Sequence, residues 1–261
     1  MRTNQVKAKL LAGGTSIGTF VFEFNTTGIG RLAAEAGCEF AIFDMEHTGW
    51  SIETIRMLIA TSRSTELLPV VRIPATEYHF VARVLDMGAL GVMSPMVESA
   101  DQARRLVQSA KYPPVGRRGA AFGIAHDDYT GGAVAEKIES ANRETLLFAQ
   151  IETAEGLNHV EEIAAVDGID VLWIGQFDLT NFLGIPGQFD HPRFHEAVDR
   201  VLAACRQHHK VPGFLVTNID GGRALLDRGF RALAYGGDLW IYQAALQQGV
   251  SALQQHARKI S

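Results

Sequence analysis

The stretch "FAIFDMEHTG", residues 40–49, is a short apolar run that breaks off into two carboxylates and a histidine, Asp44, Glu46 and His47. Successive apolar positions suit a strand covered on both faces, which puts the charged residues at its C-terminal end. A segment with helical spacing and a charged outer face, "SIETIRMLIATSRS", comes next. The local reading is strand, polar turn, helix.

The chain repeats that unit. Candidate strands are "SIGTFVF" (16–22), "FAIFD" (40–44), "LPVVRI" (68–73), "LGVMSP" (90–95), "LLFAQIE" (146–152), "VLWIG" (171–175), "GFLVT" (213–217) and "ALAYG" (232–236). Between them lie amphipathic segments such as "TEYHFVARVLDMG", "ADQARRLVQSAKY", "PRFHEAVDRVLAACRQHH" and "IDGGRALLDRG". Gly37, Gly88 and Gly229 stand where helices would end. Apolar strands alternating with helices predict a parallel sheet, and eight such units predict an α/β fold, a (β/α)8 or TIM barrel, as one domain over residues 1–261. The competing doubly wound sheet calls for a G-x-G-x-x-G turn after the first strand, which the sequence lacks.

With 261 residues and 47% hydrophobic content the chain can bury a full core. A net charge of -5 and a pI near 6.0 give no basic field for nucleic acid or a membrane surface, which leaves a small molecule as the expected partner. Cys38 and Cys205 have no zinc or CxxC spacing and read as reduced thiols. No apolar run is long enough to span a bilayer and the first residues do not resemble a leader, so the expected location is the cytoplasm. The longest irregular stretch, "YPPVGRRGAAFGIAHDDYTGG" (112–132), exceeds an ordinary connection and is read as a loop beside the active site.

Sites in such barrels lie at the C-terminal ends of the strands. The polar residues there are Asp44, Glu46 and His47; Arg72; Gln150 and Glu152; Gly175, Gln176 and Asp178; Thr217 and Asn218; and Gly236 and Gly237. Glu152 and Asp178, one strand-helix unit apart, make a hard-cation pair suited to Mg²⁺ or Mn²⁺ with an oxygen-rich substrate such as a 2-oxo acid. The alternative is that either acid caps a helix or pairs with a base. Arg72 either offers its planar fork to a carbonyl or enolate oxygen or makes a surface ion pair. His47 is either a catalyst or a structural hydrogen-bonder. "GRRGAAFG" is an anion-binding turn or a plain one.

Taken in order, "FDMEHTG", "VVRIP", "FAQIETAEGL" and "IGQFDLT" resemble the HpcH/HpaI family of class II, metal-dependent pyruvate aldolases, of the 4-hydroxy-2-oxoheptanedioate aldolase type, from about Gly18 to Gly237. The resemblance implies a divalent metal cation held by Glu152 and Asp178 and chelated by pyruvate or its enolate. It implies that Arg72 contacts the keto oxygen, that His47 transfers the proton, and that Asp86 in "RVLDMGA" orients it. Gln150 would line the metal and substrate site, and backbone amides around Phe177 and Asp178 would hold the pyruvate carboxylate. It also implies a homo-oligomer, a hexamer, with the last helix, about residues 238–258, exchanged between subunits. The chemistry agrees: retro-aldol cleavage needs a base for the 4-hydroxyl and a sink for charge on C3. The lysines at 7, 9, 111, 137 and 210, and the sixth at 259, lie off the strands that would point inward, which argues against a Schiff base. Asp44 would support the histidine.

The sequence departs from the family at "TGWS", at "GQFDL" and at "RRGAAFGIAHDDY". Trp50, Gln176, Phe177, His126 and Tyr129 are therefore candidates for a pocket that takes a different aldehyde. Three functions compete: aldol cleavage or condensation of 4-hydroxy-2-oxo acids to pyruvate and an aldehyde, oxaloacetate decarboxylation at the same site, and non-catalytic binding of a 2-oxo acid. Mg²⁺, Mn²⁺, Co²⁺ and Zn²⁺ all suit carboxylate ligands.

Overall fold

Along a strand, alternate side chains point to opposite faces, and in this chain the two faces carry different residues. A computed structural model describes residues 2–260. Its strands are β1 (Ser16–Val21), β2 (Phe40–Asp44), β3 (Leu68–Arg72), β4 (Gly91–Ser94), β5 (Leu146–Ile151), β6 (Val171–Ile174), β7 (Val211–Val216) and β8 (Ala232–Gly237). All neighbours are parallel, and β1 pairs with β8 to close the barrel in sequence order. The expected (β/α)8 barrel is therefore the observed fold. β7 begins earlier than its apolar pattern suggests, because Pro212, which cannot donate to a ladder, is accommodated opposite Leu172.

The helices are α1 (Gln5–Leu11), α2 (Ile29–Glu35), α3 (Ile52–Ser62), α4 (Tyr78–Asp86), α5 (Ala100–Ala110), α6 (Val134–Glu144), α7 (Ala154–Asn158), α8 (Val160–Ala164), α9 (Gln176–Phe182), α10 (Pro192–Gln207), α11 (Ile219–Asp227) and α12 (Asp238–Ile260). Local chemistry fixes their ends. Ser51, Ser99, Thr153 and Asn218 cap α3, α5, α7 and α11 by accepting a backbone N–H of the first turn. Gly37, Gly88 and Gly229 follow α2, α4 and α11 with φ of 89°, 101° and 98°, the left-handed conformation that closes a helix.

Burial divides into two cores. One fills the barrel interior with Phe20, Phe40, Ile42, Val70, Phe148 and Trp173 among others, and Val6 and Leu10 of α1 belong to it, so α1 stoppers the end where the strands begin. The other lies between strands and outer helices. The inward positions run Phe40, Ile42, Asp44 on β2, Leu68, Val70, Arg72 on β3, and Leu146, Phe148, Gln150 on β5, apolar below and polar in the last layer. That last layer is the floor of the site.

One flank of the barrel is bare. The outward residues Ile17 of β1 and Tyr235 of β8 are 43% and 39% exposed, whereas β2 to β7 are buried at every position. α12 does not cover them: among its described residues only Asp238 is buried, and Tyr242, Leu246, Val250 and Leu253 leave an apolar stripe open along the helix. No helix among the described residues is long and apolar enough to cross a membrane.

The long segment 112–132 sits at the opposite end from the expected one. α5 runs antiparallel to the strands and delivers the chain to the N-terminal face, where this connection leads into α6 and β5. Its Ala125 carbonyl and Asp128 carboxylate are bound by Arg63, which follows the C-terminus of α3 on that same face. The segment is not a loop beside the active site of its own chain.

Candidate active site

The polar layer begins with Asp44, fully buried at the end of β2. Its Oδ1 accepts from Arg72 Nε at 2.5 Å and from the Glu46 amide at 3.2 Å, while Oδ2 accepts the His47 amide at 2.9 Å. Asp44 and Arg72 are register partners on β2 and β3, so the sheet itself places them side by side. One carboxylate thus folds the "DMEH" turn and holds the arginine. Arg72 is also positioned by Phe20 and Phe22, whose ring centroids lie 5.1 and 5.8 Å from its guanidinium carbon. His47 projects outward with its side chain 56% exposed and Nε2 3.7 Å from Glu46 Oε2.

Across the barrel, Glu152 is buried. Its Oε1 accepts the Met96 amide at 2.7 Å and its Oε2 accepts from Gln150 Nε2. Met96 adopts a left-handed φ of 47° to aim that amide, backbone strain of the kind concentrated at functional sites. Asp178 enters from the first turn of α9, whose N-cap is Gly175 and carries no side-chain cap.

Charge in this layer is out of balance. Burial, then the neighbouring Glu46, push the Glu152 carboxyl up to about 7. Glu46 is likewise raised to about 7 by burial; the attraction of Arg72 opposes this without overcoming it, and Asp44 and Asp178 add repulsion. Glu46 Oε2 lies 3.0 Å from Arg72 Nη1 but is out of line for a hydrogen bond, and Gln150 Oε1 is buried without a partner. Four acids share one guanidinium among the residues of this layer.

A hard cation fits that deficit. Among the described residues no three His, Cys, Asp or Glu side chains gather as a closed metal cage. Glu152 and Asp178 with the spare Gln150 oxygen instead suit a cation that keeps positions for water and substrate, as Mg²⁺ does.

A cavity of about 700 Å³ opens above the layer and is lined by His47, Trp50, Arg72, Gln150, Gln176, Phe177 and Asp178. A family model for HpcH/HpaI aldolase/citrate lyase matches residues 17–245. The chain belongs to the HpcH/HpaI family. It is 31% identical over 251 residues to the 5-keto-4-deoxy-D-glucarate aldolase of Klebsiella pneumoniae, covering 96% of this chain and 97% of that one. It is 31% identical to the hydroxypyruvate/pyruvate aldolase of Roseobacter denitrificans over 90% and 91% of the two chains. The crystal structure of an HpcH/HpaI aldolase from Desulfitobacterium hafniense superposes with a TM-score of 0.91 at 34% identity, covering 95% of this chain and 96% of that one. This HpcH/HpaI protein is an enzyme of the aldolase class.

Asp44 and Glu152 lie in the layer beneath the cavity, and three other expected site residues lie away from it in their own chain. Asp86 ends α4 at the N-terminal face, where Arg118 Nη2 donates to it at 2.5 Å, so it cannot orient His47 within one chain. His126 is buried in the 112–132 segment with Nε2 2.7 Å from the Ala121 carbonyl, and burial lowers its pKa. Tyr129, in the same segment, is 65% exposed. A helix returns its C-terminus to the opposite end of a barrel, and motif matching carries no such information.

Glu46, read from the sequence as a polar residue at the end of the second strand, does join this layer. Other residues escaped the sequence reading: Phe20 and Phe22 were legible in the alternation of "TFVFEF". Trp240 carried no signal, because it joins the cavity only through the turn from β8 into α12. None of the six lysines lines the cavity.

Proposed function

We propose that this HpcH/HpaI enzyme cleaves, and in reverse forms, the C3–C4 bond of 4-hydroxy-2-oxo acids, giving pyruvate and an aldehyde with the help of a divalent cation. The observation that carries the reading is the polar layer itself: Arg72, braced by Asp44 and 3.0 Å from Glu46, is the one guanidinium among carboxylates that burial raises to about 7, Glu46 and Glu152. The names of the aldolase relatives support it.

Glu152 and Asp178 would hold the cation, with Gln150 beside them. Bound there, it supplies a Lewis acid that draws electron density from the 2-oxo group. Arg72 points into the cavity and binds the C2 oxygen, which gains charge as the bond breaks. The free amides at the start of α9, around Phe177 and Asp178, receive the pyruvate carboxylate. His47 takes the proton of the 4-hydroxyl, C4–O becomes a carbonyl, C3–C4 breaks, and its electron pair remains on C3 conjugated with C2. Reprotonation at C3 yields pyruvate. Asp44 keeps the His47 turn and Arg72 in register through its bonds to both.

The working enzyme is a homo-oligomer in this reading, a hexamer with α12 exchanged between subunits. The bare flank of β1 and β8 and the open stripe of α12 support it, since each is an apolar surface lacking a cover. The free thiols Cys38 and Cys205 accord with a reducing cytoplasm.

The test is pyruvate release from a panel of 4-hydroxy-2-oxo acids and oxaloacetate, with EDTA and with added Mg²⁺, Mn²⁺, Co²⁺ or Zn²⁺. Metal-dependent release is expected. Silence across the panel with every metal defeats the reading.

A further inference from the structure

We propose that a second cavity, at the N-terminal face of the barrel, binds the phosphate group of a small phosphate monoester. It is lined by Arg206, His209 and Lys210 at the end of α10 and by Arg228 and Arg231 beyond α11. Its volume of about 390 Å³ suits a small metabolite. Lys210 and Arg231 directly precede β7 and β8, so the cavity opens at the end of the barrel remote from Arg72 and Glu152. The proposal is independent of the aldolase reading.

The first observation is charge. Three arginines and a lysine line the cavity, and among the described residues no acidic side chain does, in a chain whose net charge is -5. Asp199 lies outside the lining and answers only Arg228, whose Nη2 donates to it at 2.9 Å. Lys210 donates to the Val166 carbonyl at 3.1 Å, which leaves two of its three ammonium protons, and it feels Asp167 and Asp170 from beyond the lining. Arg206 and Arg231 have no hydrogen-bond or ion-pair partner for their side chains among the described residues. Like charges held together repel, and an anion between them removes that cost.

The second observation is convergence. Arg231, Arg206 and Lys210 all act on one atom, the sulfur of the buried Cys205 that lines the cavity. Burial outweighs their pull and pushes the thiol up to about 12, so the sulfur keeps its proton and is no counter-ion for them. Cations gathered about one point suit a single compact dianion with several acceptor oxygens. A phosphate monoester supplies that, whereas a dicarboxylate divides its charge between two carbons.

Helix ends explain only part of the cluster. The negative C-terminus of a helix favours nearby cations, which accounts for Arg206 in the last turn of α10 and for Arg228 at the C-cap of α11. Arg231 is left over. It stands at the start of β8, and its Nη1 lies 3.6 Å from where a β-carbon at Gly13 would stand, without donating to a carbonyl there.

The experiment is calorimetric titration of the protein, in the assembly it forms in solution, with glycerol 3-phosphate and with malonate, in EDTA and physiological chloride. Arg72→Gln is titrated alongside, which separates binding at the catalytic cavity from binding at this one. The expected result is saturable binding of glycerol 3-phosphate, at least tenfold tighter than that of malonate and kept in Arg72→Gln. The double change Arg206→Gln/Arg231→Gln should weaken it tenfold or more with the melting temperature unchanged, since neither side chain holds a partner, and Arg206→Gln alone should weaken it about threefold. Absence of binding to the assembled protein, whether the cavity has no affinity or a neighbouring subunit covers it, overturns the proposal. So does malonate bound as tightly, or binding that is lost in Arg72→Gln and kept in the double variant.

Discussion

Gly175 backs directly onto Glu152: a β-carbon at 175 would overlap Glu152 Oε2 and lie 2.7 Å from its Cβ and 2.8 Å from Gln150 Nε2. The glycine leaves the room in which the carboxylate sits. Gly175→Ala should push Glu152 out of place, lowering Mn²⁺ affinity by tenfold or more and costing about 1–3 kcal/mol of stability. Titration by electron paramagnetic resonance and calorimetric unfolding read the two effects. Unchanged affinity would show that Glu152 is not a ligand.

Stability without metal should depend on pH in a sense opposite to that of an ordinary carboxylate. Glu46 and Glu152 are raised from 4.5 to about 7 in the fold. Between those values the folded state holds more protons than the unfolded one, so stability falls as pH rises through that window. A divalent cation binds the deprotonated form and releases protons. The melting temperature in EDTA should drop from pH 5 to pH 7.5, while the gain on adding Mn²⁺ should be larger at pH 7.5. A metal-induced gain that is equal at both pH values would contradict the assigned ligand.

Arg72 joins Asp44 through Nε and approaches Glu46 through Nη1. Lysine has one ammonium and cannot span both. Arg72→Lys should reduce kcat for pyruvate formation by about 10²-fold or more, with the far-ultraviolet circular dichroism unchanged. Near-normal turnover would leave Arg72 a structural role only.

His47 separates two reactions of the same site. Decarboxylation of oxaloacetate has no alcohol proton to remove. His47→Ala should therefore depress aldol cleavage about 10²- to 10⁴-fold, the usual worth of a general base, and oxaloacetate decarboxylation much less. Equal losses in both assays would end its assignment as the base.

The apolar stripe of α12 gives a direct test of assembly. Leu246 and Val250 are 50% and 42% exposed on a helix that its own barrel does not cover. The double change L246E/V250E should dissociate the oligomer, read as mass by light scattering, because buried charge in that stripe would be unpaired. An unaltered mass would place the subunit contact elsewhere.

How much of this was legible beforehand differs residue by residue. The eight strands and the (β/α)8 barrel followed from apolar runs alternating with amphipathic segments, since a parallel sheet covered on both faces has no other pattern. The residues at strand ends, Asp44, Arg72, Gln150 and Glu152, were legible for the same reason: strand parity and direction fix where the last inward side chain points. Position across the fold was not. Asp86, His126 and Tyr129 sit on a helix end and a segment that the chain carries to the far face, and the ring contacts of Phe20 with Trp173 and of Phe22 with Trp240 join residues that lie far apart in sequence. The raised Glu46 and Glu152 arise only when closure of the barrel sets their charges together away from water. Local patterning determined which residues end strands and which begin helices; the closed barrel alone decided which of them share one cavity, because that depends on distances through space that no spacing along the chain encodes.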